Sequence, residues 1–237
     1  MNQYFARLRA VLVKARVIIF PHDSSELEVP TELIEKSHLV GTILKPLTKT
    51  PALASQAHRP KIIVSGGGGG YPGTFAFYNF ALEAISKCQE TDPTLGATLV
   101  TGPLFHEWNE LHPISGVQII PFDTEITTRF REASLVICQG GYNTAAELTA
   151  LGVPVICVPA NRMFDDQYER ARKSPAAFNQ FYFWEGSDSG ALAAQIVRIL
   201  QTPRTSMANT DDYYSDGAAR AAEALIACMA NKQNTVR

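Results

Sequence analysis

Long apolar runs are missing from this chain of 237 residues. No stretch approaches the roughly 18 consecutive apolar residues that a membrane-spanning helix needs, and the N-terminal residues lack the apolar core of a secretory signal. An excess of one charge is missing too: 21 Lys and Arg stand against 23 Asp and Glu, for a formal net charge of -2. That balance gives no electrostatic case for nucleic acid or for an anionic membrane surface. Cysteine is scarce. Cys88, Cys138, Cys157 and Cys228 lie far apart, with no Cys-x-x-Cys pair and no His at ligand spacing. This argues against zinc and for buried free thiols in a reducing cytosol. No Gly-Lys-Ser/Thr follows the glycine run, which excludes a Walker loop. Internal repeats and low-complexity tracts are absent as well. What is present suits a full core: 46% of residues are hydrophobic and 19% charged.

The chain is organised around the stretch from Ser134 to Gln167. Leu135–Cys138 has the length of a buried strand. Gln139-Gly140-Gly141 breaks it with a flexible turn. Asn143 or Thr144 can cap a helix through Leu151, Gly152 stops that helix, and Val153–Val158 is a second apolar run. A strand, glycine turn, helix and strand in this order predict a parallel βαβ crossover. Ligands bind such sheets where strands end and helices begin, and the positive end of a helix suits a phosphate.

The rest of the chain follows the same alternation. A short helix is expected over Asn2–Ala15 and strands at Val17–Phe20 and Leu39–Val40. Three prolines between Leu44 and Pro60 read as a linker. The expected organisation is therefore 1–40 as the tail of a further N-terminal domain, 41–60 as linker, and 61–237 as one domain. In that domain strands are predicted at Lys61–Ser65, Ala97–Thr101, Val117–Ile120 and Phe181–Trp184. Helices are predicted after Thr74, Asp123 and Asp188, each taken as a cap, from Asp166 to Lys173, and from Ala218 to Ala230. Strands alternating with helices at this spacing predict a Rossmann-like, doubly wound α/β fold with a parallel sheet.

Gly66–Gly70 is the loudest local signal. Gly68-Gly69-Gly70-Tyr71-Pro72-Gly73 formally matches the dinucleotide fingerprint G-x-G-x-x-G. That reading needs an acid at the end of the next strand, which here ends Val100-Thr101-Gly102; Glu90 and Asp92 lie before it. A plain turn does not require five glycines, so close approach of a phosphorylated ligand is the better account. Gly140-Gly141 is a second such turn on the same sheet edge, and two converging turns suggest a diphosphate. Glu147 has two readings: it closes a capping box with Thr144, or it accepts hydrogen bonds from both hydroxyls of a ribose. Asp165-Asp166-Gln167 either complements a helix dipole or holds sugar hydroxyls. His22, His106 and His112 read as surface or turn residues, and Phe181–Trp184 as core.

Taken in order, Ser65-Gly66-Gly67-Gly68-Gly69-Gly70, Gly140-Gly141-Tyr142-Asn143-Thr144 with Glu147, Gly152-Val153-Pro154, and Asp166-Gln167 resemble the C-terminal donor-binding domain of GT-B glycosyltransferases of family 28, over roughly residues 40 to 200. That family includes the enzyme that adds N-acetylglucosamine to the peptidoglycan lipid precursor, the plant galactolipid synthases and the two-subunit dolichol-linked N-acetylglucosamine transferase. The resemblance implies a cytoplasmic enzyme that binds a nucleotide sugar, a UDP-sugar first, and transfers a hexosyl or N-acetylhexosaminyl group with inversion and without metal or cofactor. Glu147 matches the acid on the ribose, and the two glycine turns match the loops around the diphosphate. Phe122 matches the position that holds the base, and Asp166 and Gln167 match the pair near the sugar. Lys45 falls where the family has a basic residue near the phosphates. The family keeps its acceptor site and catalytic base in an N-terminal domain, opened by a glycine-rich loop with a His that this sequence lacks. Either this sequence is a fragment of a longer chain or a partner chain supplies that half, with any membrane contact made through the partner, and this chain alone is expected to be inactive. The competing readings are a nucleotide-sugar hydrolase or epimerase, and a non-catalytic binding subunit.

Overall fold

The computed structural model describes residues 2–22, 27–45, 61–112, 114–162, 165–177, 180–203 and 216–233. Two compact units divide the chain, Met1–Thr48 with Asn209–Arg237, and Lys49–Ala208. In the first, helix α1 (Asn2–Leu12) precedes strands β1 (Ile18–Phe20) and β2 (Ser37–Leu39), which pair in parallel with Ile18 opposite Ser37. Ile18, Phe20, Leu27 and Leu33 make a small core beside them. The linker expected over 41–60 lies, from residue 46 onward, outside the described residues.

The second unit alternates as its sequence period predicts. Its elements are β3 (Lys61–Ser65), α2 (Thr74–Thr91), β4 (Gly96–Val100), β5 (Val117–Ile120), α3 (Ile126–Glu132), β6 (Leu135–Cys138), α4 (Tyr142–Leu151), β7 (Val155–Cys157), α5 (Gln167–Ala177), β8 (Phe181–Phe183) and α6 (Ser189–Gln201). All pairings are parallel, in the order β5-β4-β3-β6-β7-β8. The chain winds outward from β3 to one edge, returns to β6, and winds to the other edge. The point of reversal lies between β3 and β6, with Ser65 opposite Cys138 at their carboxyl ends. This is the doubly wound arrangement expected from the sequence.

Side chains alternate between the two faces because successive residues of a strand point opposite ways. Ile62, Val64, Leu135, Ile137 and Ile156 pack on one face with Phe77, Ala81 and Ile85 of α2 and Leu192 and Ile196 of α6. Ile63, Val136, Cys138, Val155 and Cys157 pack on the other with Phe130 of α3, Leu148 of α4 and Ala171 of α5. Strands buried on both faces must be apolar throughout, which is why β6 and β7 read as unbroken apolar runs. The aromatic run divides as core: Phe181 joins one face, while Tyr182 and Trp184 pack against the other.

Of the three caps expected at Thr74, Asp123 and Asp188, two differ from their expected places. Asp188 does cap α6, accepting from Gly190 N–H at 2.8 Å and Ala191 N–H at 3.2 Å. Thr74 is instead the first residue of α2, behind Gly73. Asp123 stands two residues before the cap position of α3, where its carboxylate accepts from Glu125 N–H at 2.8 Å and from the Arg129 guanidinium. The Asp side chain closes its own turn, a local bond that competes with capping. The last helix, α7 (Gly217–Gln233), groups with the first unit, whereas the sequence reading ran one domain to residue 237. Among the described residues no helix is long and apolar enough to cross a membrane.

The Arg129 hydrogen bond holds the Asp123 carboxyl below its ordinary value of 3.8. A carboxyl lowered on folding stabilises the protein fully above its unfolded value and loses that contribution as pH falls through the folded one. The stability gap between wild type and Asp123→Asn is therefore expected to be full at neutral pH and to close in acid. Urea unfolding of both proteins across that range measures it; a gap that does not change with pH would assign the effect to packing.

Candidate functional site

At the reversal point a crevice of about 240 Å³ opens past the carboxyl ends of β3 and β6. Ser65 to Gly68 form one wall, Cys138 to Thr144 the other, and Arg162 from the segment after β7 completes it. A parallel sheet leaves such a cleft because the loops on either side of the reversal run to opposite faces. The sequence-predicted residues Ser65, Gly66, Gly67, Gly68, Gly140, Gly141, Asn143 and Thr144 are thus brought together. Gly69, Gly70, Phe122, Glu147, Asp166 and Gln167 are not part of this lining.

The five glycines do different jobs. At Gly66 a Cβ would lie 2.6 Å from the Tyr78 hydroxyl, and the Gly66 N–H already donates to that hydroxyl at 2.9 Å. Tyr78 in turn donates to the Thr101 carbonyl at 2.8 Å, and its burial raises its pKa far above the ordinary value, so it stays a neutral donor. Gly69 has φ +79°, and a side chain there would overlap the Thr101 carbonyl. Gly70 lies against Leu104. Gly66 and Gly69 are therefore glycines because protein surrounds them, while Gly70 is exposed and a Cβ there would crowd Leu104. Gly67 and Gly68 have nothing within 4 Å of a Cβ and stand open on the crevice. Gly67 needs its freedom for a φ of +69°. Gly68 has no positive φ, and a Cβ there would meet no protein atom.

The second turn carries helix α4. Gly141, at the N-cap, has extended backbone and makes no side-chain cap bond; its carbonyl accepts from Ala145 N–H at 2.9 Å. The helix begins at Tyr142, one to two residues before the expected caps Asn143 and Thr144. Thr144 is thereby the third helical residue and Glu147 lies a full turn deeper. A capping box needs the Thr at the cap and the Glu at the third position, so that reading of Glu147 is overturned. Glu147 is half-buried on the second turn of α4. Beneath the turn, a side chain at Gly140 (φ +73°) would overlap the Cys157 sulfur. Cys138 and Cys157 are register partners on β6 and β7, both buried. A hydrogen bond donated by the Cys157 thiol to Cys138, together with burial, keeps that thiol well above its usual range, so it is neutral.

Asp165, Asp166 and Gln167 spend their polar atoms on the protein. The Gln167 side chain is 1% exposed; its Oε1 accepts from Ala160 N–H and its Nε2 donates to Asp165, both at 3.0 Å. Asp165 also accepts from Arg170, whose guanidinium donates to the Gly140 carbonyl at 3.0 Å and lies 5.4 Å from the centre of the Tyr142 ring. This chain of bonds fixes the second glycine turn from the side of α5. Asp166 accepts from Glu169 N–H at 3.0 Å, a cap for α5 and hence the dipole-complementing reading. Phe122 stands 56% exposed just past the carboxyl end of β5. His106 and His112 are exposed, as expected, and Lys45 is an exposed residue of the first unit. No cluster of three or more His, Cys, Asp or Glu that could hold a metal ion occurs among the described residues.

Three residues of the site went unread in the sequence. Gln139, 4% exposed, faces the Thr74 hydroxyl across the sheet at 3.4 Å. Tyr71 donates its hydroxyl to the Asn161 carbonyl, joining the first glycine turn to the segment after β7. Arg162 stacks on the Tyr71 ring, 4.7 Å from its centre. The available signal was an arginine three residues after Pro159 in an irregular stretch between a strand and a helix.

Alanine at two neighbouring glycines separates the structural positions from the open ones. Gly69→Ala forces a left-handed residue against the Thr101 carbonyl and is expected to lose about 1–3 kcal/mol or more. Gly68→Ala meets empty space and is expected to stay within about 0.5 kcal/mol of wild type. Thermal or denaturant unfolding of the two variants checks the pair; equal losses would mean that the glycine run is a purely structural turn.

The sequence model of the glycosyltransferase family 28 C-terminal domain matches residues 69–225, well over half of the chain. Among curated proteins, the UDP-N-acetylglucosamine–N-acetylmuramyl-(pentapeptide) pyrophosphoryl-undecaprenol N-acetylglucosamine transferase of Exiguobacterium sibiricum is 30% identical over 131 residues, 53% of this chain and 34% of that one. The transferase of the same description from Pseudomonas aeruginosa is 30% identical over 114 residues, 47% of this chain and 32% of that one. This chain spans about a third of the length of these relatives. Among solved structures, a calicheamicin glycosyltransferase superposes with a TM-score of 0.58 at 16% identity, covering 91% of this chain and 52% of that one. The kitacinnamycin glycotransferase does so with a TM-score of 0.52 at 15% identity, covering 84% and 49%. The sheet is that of the C-terminal half of a GT-B fold, and the chain belongs to the glycosyltransferase family 28 C-terminal domain family.

Proposed function

We propose that this domain binds the donor of a glycosyl transfer, a UDP-sugar, in the crevice at the reversal of strand order. The observation that carries the reading is the pair of glycine turns with Gly68 and Gly141 open to the crevice, beside the first turn of α4. Backbone N–H groups and a helix N-terminus suit a diphosphate. The lining includes an arginine and no carboxylate, so the phosphates are held by protein donors and no divalent ion is needed. Phe122 at the end of β5 takes the base, Glu147 the ribose hydroxyls, and the start of α5 borders the sugar, with Gln167 and Asp165 acting as its support. The uridine preference draws on the printed names of the curated relatives, which act on UDP-N-acetylglucosamine.

The reaction is an inverting displacement. An acceptor hydroxyl attacks the anomeric carbon, the bond from that carbon to the phosphate oxygen breaks, and UDP departs with the electron pair. The hydroxyl proton passes to a base on a further domain or partner chain, which also holds the acceptor. This domain stabilises the departing diphosphate with donors fixed before the reaction begins. A hexose or N-acetylhexosamine is the transferred group, and membrane contact, where the acceptor is a lipid, falls to the acceptor half.

Calorimetric titration with UDP, GDP, ADP, NAD and UDP-sugars, with excess chelator present, tests the reading. UDP and its sugars are expected to bind in chelator, and the chain alone to transfer no sugar. Preference for another nucleotide, or binding only after Mg²⁺ is restored, would overturn the corresponding part. Glu147→Gln keeps the shape and removes the charge. It is expected to melt close to wild type and to bind UDP about tenfold more weakly or worse, the equivalent of roughly 1.4 kcal/mol. Unchanged UDP affinity in that variant would remove Glu147 from the site.

A further inference from the structure

Among the described residues that line the crevice one side chain is charged, and neither capping nor ion pairing with a described residue accounts for it. Arg162 borders the same space as Gly67, Gly68 and Gly141, and its Nε is sealed from solvent with no hydrogen-bond partner among the described residues. A guanidinium N–H removed from water without an acceptor is costly and rarely left so. The side chain is nonetheless held in place. Its guanidinium lies over the Tyr71 ring, 4.7 Å from the centre, and Tyr71 is anchored by its hydroxyl to the carbonyl of Asn161, the residue before the arginine. The ring takes one face of the guanidinium by cation–π attraction, which leaves the N–H edge as the free binding surface.

We propose that Arg162 is the counter-charge for the diphosphate: the terminal N–H groups of this half-buried side chain, which borders the crevice, donate to non-bridging phosphate oxygens, with Tyr71 as the platform that aims them. A planar fork of donors matches a phosphate edge in a way that an ammonium does not. The backbone groups of the two glycine turns supply hydrogen bonds but only partial charge, and a diphosphate brings at least two negative charges into a crevice with no carboxylate to repel it. Arg162 thus supplies the full positive charge that stabilises the leaving group as the sugar departs. The anion site follows from the crevice itself; only the naming of the anion as part of a UDP-sugar rests on the donor reading.

The test uses wild type, Arg162→Lys, Arg162→Gln and Tyr71→Leu, titrated with inorganic pyrophosphate, UDP, UMP and uridine. Wild type is expected to bind pyrophosphate and UDP. Arg162→Gln is expected to weaken both by about tenfold or more, UMP by less and uridine not at all. Arg162→Lys is expected to fall between, and Tyr71→Leu to weaken UDP several-fold. If Arg162→Gln does not fold, Arg162→Lys decides by the same gradient with phosphate number. Wild-type UDP affinity in a folded Arg162 variant, or an equal loss for uridine and UDP, would overturn the role of Arg162 and leave the donor reading standing. Arg162-dependent pyrophosphate binding without preference for UDP would uphold Arg162 and sink the donor reading. Failure of wild type to bind either compound would sink both.

Discussion

The Tyr78 hydroxyl takes the Gly66 N–H and gives its own proton to the Thr101 carbonyl, and the geometry of the first glycine turn follows from those two bonds. The turn cannot relax toward the helix, because Tyr78 is itself fully buried and packed edge-on against Phe105. It cannot relax toward β4, because Gly69 and Gly102 already bring backbone against backbone there. A phenol is well suited to the place. Burial keeps it neutral, so one oxygen both accepts and donates without adding charge beneath the crevice. With one side of the loop fixed, Gly67 and Gly68 have only the crevice to face.

The opposite wall is fixed by a different kind of bonding. Arg170 reaches from α5 to the Gly140 carbonyl while paired with Asp165, and Gln167 ties Asp165 to the backbone of Ala160. Charges on this side are paired with each other and turned away from the cavity lining. Arg162 contrasts with them: it is the charged group of the lining, and its Nε has no partner among the described residues. Among the described residues the site therefore presents a neutral wall, a wall of neutralised charges and an arginine without an ion-pair partner. Such a distribution favours an anion over any ligand of comparable size without charge.

Much of this was legible from residues. Short apolar runs placed β3, β5 and β6 to the residue, and the alternation with helices gave the parallel, doubly wound sheet. The two glycine turns located the crevice. What the sequence obscured was the use made of individual polar groups. Asn143 and Thr144 look like caps, yet Gly141 adopts the extended backbone that starts α4, and the capping box dissolves with that shift. Asp166 and Gln167 resemble ligands, and the structure adds local bonds to Glu169, Ala160 and Asp165 that the sequence did not show, since short polar side chains find nearby backbone first. Arg162 carried no periodic or motif signal at all. Its meaning depends on Tyr71, distant in sequence and adjacent only in the fold.

The reversal of strand order has a mechanical side as well. The sheet consists of two three-stranded halves, β5-β4-β3 and β6-β7-β8, joined along one seam of hydrogen bonds from Ile62 opposite Leu135 to Ser65 opposite Cys138. The crevice sits at the open end of that seam, with one wall rooted in each half. Anything bound there is a rivet across the joint. Its grip resists shear between the halves, and separation along the seam must first expel it, so occupancy feeds directly into the cohesion of the sheet through mass action.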